Sequence, residues 1–172
     1  RLPVEVMTGE VSENMFSAKS GVWGQGPGMG SHNAKQAFLA LEKAIKAGWK
    51  CILDADALTS IAEDPNSLIK LAKMGAPEQI VITPHPKEAA RLLKINVEEV
   101  EQDRFRQVKK LAEKYHCTVV LKGKGTLIQS PTGPCIAGCS GDTGLSKGGT
   151  GELLSGMLGS FLAQGLSTEL GI

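Results

Sequence analysis

The chain is divided by short apolar runs, each released into a loop rich in glycine, proline or aspartate and separated from the next by helical periodicity. Gly21 to Gln25, Trp49 to Leu53, Ile80-Val81-Ile82 and Cys117 to Leu121 are such runs. Aliphatic and β-branched runs of this length, bounded by turn residues, are typical of strands covered on both faces, as in a parallel sheet. Between the first two, Ala34, Ala37, Phe38, Leu41 and Ile45 recur at helical spacing after the cap candidate Asn33, and Gly48 supplies the stop. Asn66 to Met74, with Leu68, Ile69, Leu71 and Ala72 on its inner side, reads as a further helix ended by Gly75-Ala76-Pro77. Helical signals return at Lys87 to Leu93, with Pro86 as a good first helical residue, and at Gln102 to Tyr115, where Phe105, Val108, Leu111, Ala112 and Tyr115 form one stripe. Thr126 to Gln129 and Pro134 to Ala137, joined by Ser130-Pro131-Thr132-Gly133, predict a β-hairpin near the C-terminal third. This order predicts an α/β fold, a mainly parallel sheet with helices on both faces. Residues 1 to 19 show neither period.

Composition narrows the function. A chain of 172 residues, 41% hydrophobic and 22% charged, has material for one sizeable core and reads as one soluble domain. Lys and Arg number 19 against 18 Asp and Glu, so no net field favours nucleic acid or an anionic membrane. Aromatics at 4% offer no platform for stacked bases. The apolar run from Leu153 to Leu166 is interrupted by Ser, Gly and Gln and is too short to span a bilayer, and Arg1-Leu2-Pro3-Val4-Glu5 lacks a signal-peptide core. A reducing, cytoplasmic setting and a small-molecule substrate are expected. Cys51 and Cys117 are expected as core thiols in strands. Cys135, Cys139 and His116 do not form the two paired clusters of a zinc site, so no metal ligand is assigned. Gly156, Gly159, Ser160 and Ala163 suit packing against a core element or a second subunit equally, which leaves a homo-oligomer open.

Chemistry concentrates in the loops. Ser146-Lys147-Gly148-Gly149-Thr150-Gly151-Glu152 leads into Leu153-Leu154-Ser155-Gly156-Met157-Leu158, whose apolar density predicts a buried helix. The first-turn amides of such a helix have no internal partner and sit at the positive end of its dipole, so a phosphate is the natural occupant. Glu152 is then either an ordinary first-turn acid or a base facing a phosphoryl acceptor. The other loops follow strands. Gly26-Pro27-Gly28-Met29-Gly30 is a tight exposed turn, and Asp54-Ala55-Asp56 places two carboxylates at a strand end, one of which either serves the site or caps the next helix. Thr83-Pro84-His85-Pro86-Lys87-Glu88 holds an imidazole between two prolines, and Lys122-Gly123-Lys124-Gly125-Thr126 suits either a phosphate or a bare hairpin turn. In a parallel sheet all of these lie on one edge, where ligands bind.

In this order the motifs resemble a family. Gly-Pro-Gly-Met-Gly (26 to 30), Leu-Asp-Ala-Asp-Ala-Leu (53 to 58), Thr-Pro-His-Pro-Lys-Glu (83 to 88), Leu-Lys-Gly-Lys-Gly-Thr (121 to 126) and Gly-Gly-Thr-Gly-Glu (148 to 152) are similar to those of the ADP- or ATP-dependent NAD(P)H-hydrate dehydratases of the ribokinase-like superfamily. The resemblance implies repair of hydrated NADH or NADPH with ADP or ATP and Mg²⁺: the ring hydroxyl takes a phosphoryl group, and the phosphate ester then eliminates. It implies Gly149, Thr150 and Gly151 on the transferring phosphate and Lys122, Gly123, Lys124, Gly125 and Thr126 along the nucleotide. It further implies Gly28, Gly30, Asp54 and His85 on the dinucleotide side, Glu88 organising metal and phosphate, and Glu152 as base. Glu152 departs from the family pattern, which has Asp there, and a carboxylate displaced by ~1 Å can cost about a hundredfold in rate. The same superfamily offers two alternatives, a kinase for a vitamin precursor or sugar-like alcohol and a non-catalytic nucleotide-binding relative. Family members carry a glycine-rich strand–helix unit ahead of the first residue here and further helices beyond the last. The resemblance thus leaves open whether the single domain over 1 to 172 is incomplete at both ends.

Overall fold

All four apolar runs become strands. The computed structural model describes residues 16, 20–30, 33–76, 78–138 and 148–166. In chain order they form β1 (Val22–Gln25), α1 (Ala34–Lys46), β2 (Lys50–Leu53), α2 (Asp56–Glu63), α3 (Pro65–Met74), β3 (Ile80–Ile82), α4 (Pro86–Leu93) and α5 (Val97–Gln102). Then come α6 (Arg104–Tyr115), β4 (Thr118–Leu121), β5 (Leu127–Gln129), β6 (Cys135–Ala137) and α7 (Thr150–Ala163). The sheet runs β1-β2-β3-β4-β5-β6, with β1 to β4 parallel and the expected hairpin completing it antiparallel.

Each parallel connection steps one strand in the same direction, so right-handed crossovers put the intervening helices on one face. That face carries the main core, where Leu53, Ile82, Val119 and Leu121 of the strands meet Leu41, Leu58, Ile61, Leu68, Leu92 and Leu111 of the helices. Each fully buried side chain of this size contributes about 1.5–3 kcal/mol. Strand residues alternate between faces. Ile52, Val81, Val120 and Ile128 therefore point the other way, beneath Leu158 and Leu162 of α7.

Three expectations change. First, the segment after the glycine loop is not a buried helix: Leu158 and Leu162 are buried, but Leu153, Met157 and Phe161 are 64%, 48% and 37% exposed. Among the described residues α7 is packed against one surface, and a helix that meets one surface buries one stripe. Its small residues divide accordingly. A Cβ on Gly159 would lie 3.8 Å from Ile52 Cδ1, while one on Gly156 would meet nothing within 4 Å. Second, Phe105 is exposed. Arg104 precedes Val108, Leu111 and Tyr115 by spacings of 4, 7 and 11 residues and takes the inner position that the apolar stripe assigned to Phe105. Third, α5 is an additional helix. Asn96 and Glu99 form a capping box at its start, a Asn-x-x-Glu signal that is visible in the sequence.

Cys51 lies buried in β2 and Cys117 is buried immediately before β4. Burial pushes the Cys51 thiol up to about 12 and raises that of Cys117 as well, which suits packing rather than nucleophilic chemistry. Cys139, Ser146, Lys147 and the rest of 139–147 lie outside the described residues. Among the described residues no helix is long and apolar enough to cross a membrane.

Candidate functional site

Three backbone hydrogen bonds continue the sheet past its strand ends and tie the loops together. The Asp54 amide donates to Gln25 O at 3.1 Å, the Thr83 amide to Leu53 O at 3.1 Å, and the Lys122 amide to Pro84 O at 2.9 Å. The loops after β1, β2, β3 and β4 therefore emerge side by side on the carboxyl edge. The first is locked to the second at two points. Gly26 has φ +139°, and a Cβ there would stand 1.7 Å from Asp54 O, so only glycine permits this approach. The Gly30 amide donates to Asp56 Oδ2 at 2.9 Å. Asp56 is thus the first residue of α2, and its carboxylate anchors the glycine turn instead of capping its own helix. Ala55 between the two aspartates sits at φ +46°, a conformation costly for a side-chain-bearing residue. Gly28 stays exposed at the turn, which the Met29 amide closes onto Gly26 O at 3.1 Å.

Asp54 is the centre of the edge. It is 3% exposed, and its Oδ1 accepts from Lys122 Nζ at 2.7 Å while its Oδ2 accepts from Ser155 Oγ at 3.2 Å. Lys122 comes from the end of β4 and Ser155 from α7, so one carboxylate joins three distant parts of the chain. The first turn of α7 rests on this pair: a Cβ on Gly151 would lie 3.5 Å from Asp54 Oδ2 and 3.7 Å from Lys122 Nζ. Asp54 is buried and Lys122 partly so, and removing the lysine would leave a buried carboxylate without its counter-charge. Ser155 was not singled out by sequence reasoning. Its signal was the four-residue step from Gly151, which puts both on one face of α7.

His85 and Glu88 are brought together at the start of α4. His85 is the helix cap, and its Nδ1 accepts from the Lys87 and Glu88 amides at 3.1 and 3.3 Å. Glu88 reaches back, its Oε2 accepting from the His85 amide at 2.8 Å and its Oε1 lying 3.5 Å from His85 Nε2. Glu88 is buried, whereas the imidazole remains about half exposed at the edge.

The loop between β4 and β5 carries Lys122, exposed Gly123 and Lys124, and half-buried Gly125 and Thr126. Thr126 Oγ1 donates to Gly123 O at 3.4 Å across it, and Gly138 N donates to Thr126 O at 2.8 Å. At α7, Gly149 is the cap residue in a left-handed conformation and supplies no side chain to the helix amides. Thr150 and Gly151 open the helix, and Glu152 in its first turn is exposed, with no partner for its carboxylate among the described residues. A groove of about 440 Å³ between α1, α2 and α3, lined in part by Phe38, Leu39 and Met74, shares none of these residues. The edge joins a helix N-terminus that Gly149 leaves without a side-chain cap, the Lys122 ammonium and several carboxylates, groups of the kind that hold a phosphoryl group.

Comparison with known proteins places the chain among its relatives. Residues 3–171 match a family model described as NAD(P)H-hydrate dehydratase. The ADP-dependent (S)-NAD(P)H-hydrate dehydratase of Neisseria meningitidis is 39% identical over 144 residues, which are 84% of this chain and 48% of that protein. The ADP/ATP-dependent NAD(P)H-hydrate dehydratase of Bacillus subtilis, co-crystallised with ATP and Mg²⁺, superposes with TM-score 0.66 at 31% identity, covering 83% of this chain and 48% of that one. A ribokinase-like superfamily protein from Enterococcus faecalis superposes with TM-score 0.63 at 28% identity, covering 83% and 47%. The fold is therefore ribokinase-like, and the chain spans about half the length of each of these relatives.

Proposed function

The chain belongs to the NAD(P)H-hydrate dehydratase family, and from that membership we propose that it is a nucleotide-dependent dehydratase of hydrated NADH or NADPH. The observation that carries the proposal is the meeting of the Lys122 ammonium, the Asp54 carboxylate and the first turn of α7 at one point of the sheet edge. Phosphoryl transfer asks chiefly for positioning and charge neutralisation. The amides of Gly149, Thr150 and Gly151 hold the terminal phosphate of ADP or ATP, and Lys122, oriented by Asp54, balances its charge. The loop from Lys122 through Gly123, Lys124 and Gly125 to Thr126 lines the nucleotide. Gly28, Gly30 and His85 receive the dinucleotide.

Hydroxide is a poor leaving group, which is why a nucleotide is needed. Glu152 takes the proton of the ring hydroxyl as its oxygen attacks the terminal phosphorus, and the nucleotide leaves one phosphate shorter. The C–O bond of the ester then breaks with its electron pair going to the phosphate, the neighbouring ring carbon gives up a proton to that departing phosphate, and the ring double bond and inorganic phosphate result. Mg²⁺, when bound, neutralises charge on the phosphate oxygens. The donors present fit an ion carried mainly by phosphate and water: among the described residues no three His, Cys, Asp or Glu side chains gather to hold one. Glu88, whose carboxylate is held at this edge by the His85 amide, would help to organise the ion and the phosphate.

Incubation with NADPH hydrate, Mg²⁺ and ADP or ATP is expected to restore the absorbance of the reduced nicotinamide with equimolar release of inorganic phosphate. No recovery with either nucleotide overturns the proposal. A stable phosphomonoester in place of free phosphate identifies a kinase of the same superfamily instead.

A further inference from the structure

Arg104 opens α6, yet its guanidinium works at the carboxyl end of β4. Nη2 donates to Leu121 O at 3.2 Å, Lys122 O at 3.4 Å and Gly125 O at 3.2 Å, and Nη1 lies 3.5 Å from Glu101 Oε2. The side chain is 14% exposed. Gly123, at φ +138°, makes room for it, because a Cβ there would stand 2.4 Å from Nη1. The loop is thus wrapped around the guanidinium, with its Lys122 and Gly125 carbonyls, and that of Leu121 at the end of β4, turned inward.

That inward turn has a consequence on the other side of the loop. In a trans peptide the N–H points opposite to the C=O. The carbonyls of Lys122 and Gly125 face Arg104, so the amides of Gly123 and Thr126 face away from it. Two outward-turned amides on one loop can donate to anionic oxygens. The same three bonds fix the backbone of Lys122, whose ammonium stands against Asp54 and the first turn of α7.

We infer that Arg104 is a positioning residue for the nucleotide. It never touches the ligand, but it holds the 122–126 loop so that Lys122 and the Gly123 and Thr126 amides face the phosphates. This inference rests on the nucleotide-dependent reading above. Arginine is required for geometric reasons. Its planar fork of five donors spans three carbonyls and a carboxylate at once, which the single ammonium of lysine does not do.

The test uses the whole chain with Arg104→Gln and Arg104→Lys. Dissociation constants for ADP and ATP are measured by calorimetry, the dissociation constant for NADPH hydrate is measured separately, and backbone amide shifts are followed by NMR. Both variants are expected to bind nucleotide at least about tenfold more weakly, as misplacement of binding groups by a fraction of an ångström entails. Affinity for the hydrate is expected to be unchanged, and the ADP-induced shifts of Gly123 and Thr126 are expected to collapse. Arg104→Lys keeps the charge, so it carries the test if Arg104→Gln fails to fold. Unchanged nucleotide affinity, or equal weakening of both ligands, overturns the inference while the dehydratase reading stands. An unsubstituted chain that binds neither ADP nor ATP removes both.

Discussion

Helices α4 and α7 begin on the same sheet edge, and both carry glutamate as the third helical residue, yet their N-termini are chemically opposite. At α4 the cap is His85, whose Nδ1 takes two first-turn amides, Pro86 brings no amide at all, and Glu88 folds back onto the cap. The positive end of that helix is consumed by its own side chains. At α7 the cap is Gly149, which has no side chain to offer, and Glu152 stays exposed. The composition of four residues, His-Pro-Lys-Glu against Gly-Thr-Gly-Glu, decides whether a helix start is closed by its own side chains or goes without a side-chain cap.

The comparison can be broken first at Lys122, the cation that stands beside α7. Lys122→Met leaves Asp54 buried without its partner. Urea unfolding is expected to show a loss of about 3–5 kcal/mol, and dehydratase turnover is expected to vanish. Adding Asp54→Asn to that variant should return most of the stability and none of the turnover. Glu152→Gln is the next largest change, with turnover falling about 10²- to 10⁴-fold and the melting temperature unmoved. Glu152→Asp should act in the other direction, raising kcat by up to about a hundredfold if the shorter carboxylate meets the hydroxyl better.

Stability then sharpens the contrast between the two glutamates. Glu88→Ala removes half of a capping box and should lower the unfolding free energy by about 1 kcal/mol, whereas Glu152→Ala should shift it less in the same denaturant titration. The smallest effect near neutrality comes from pH, and it separates the edge from the core beneath it. Burial pushes the Tyr115 phenol from 10.0 to about 12, with Cys117 adding to the shift, and burial pushes the Cys51 thiol from 9.0 to about 12. Both acids are weaker in the folded state, so the native protein holds more protons between about pH 9 and 12. Their contribution is therefore full below about pH 9 and is lost as pH rises through that window. Melting curves from neutral to strongly alkaline pH should show the fall, and Cys51→Ala should make it shallower.

Much of the architecture was legible because strands and helices write their burial into the local pattern. The runs at 22–25, 80–82 and 118–121 needed no partner to be recognised, and neither did the hairpin at 127–137. The errors came where position outweighed polarity. Phe105 lost its inner place to Arg104, which shares the helix face of Val108, Leu111 and Tyr115 and whose guanidinium meets the carbonyls at the end of β4. The apolar density after Gly151 predicts a buried helix, yet Leu153, Met157 and Phe161 are exposed, because density measures the capacity to be buried and says nothing of what lies opposite.

By itself the sequence determined the parallel strands, the loops that end them and the glycine and carboxylate chemistry those loops carry, since each depends on neighbours a few residues away. Only the tertiary structure decided which groups meet. Lys122 and Asp54 are 68 residues apart, Ser155 and Asp54 101, and Gly30 and Asp56 26. Such pairings follow from strand order, because a parallel sheet stacks the ends of distant segments on one edge and leaves Coulomb attraction and hydrogen bonding to join whatever arrives there.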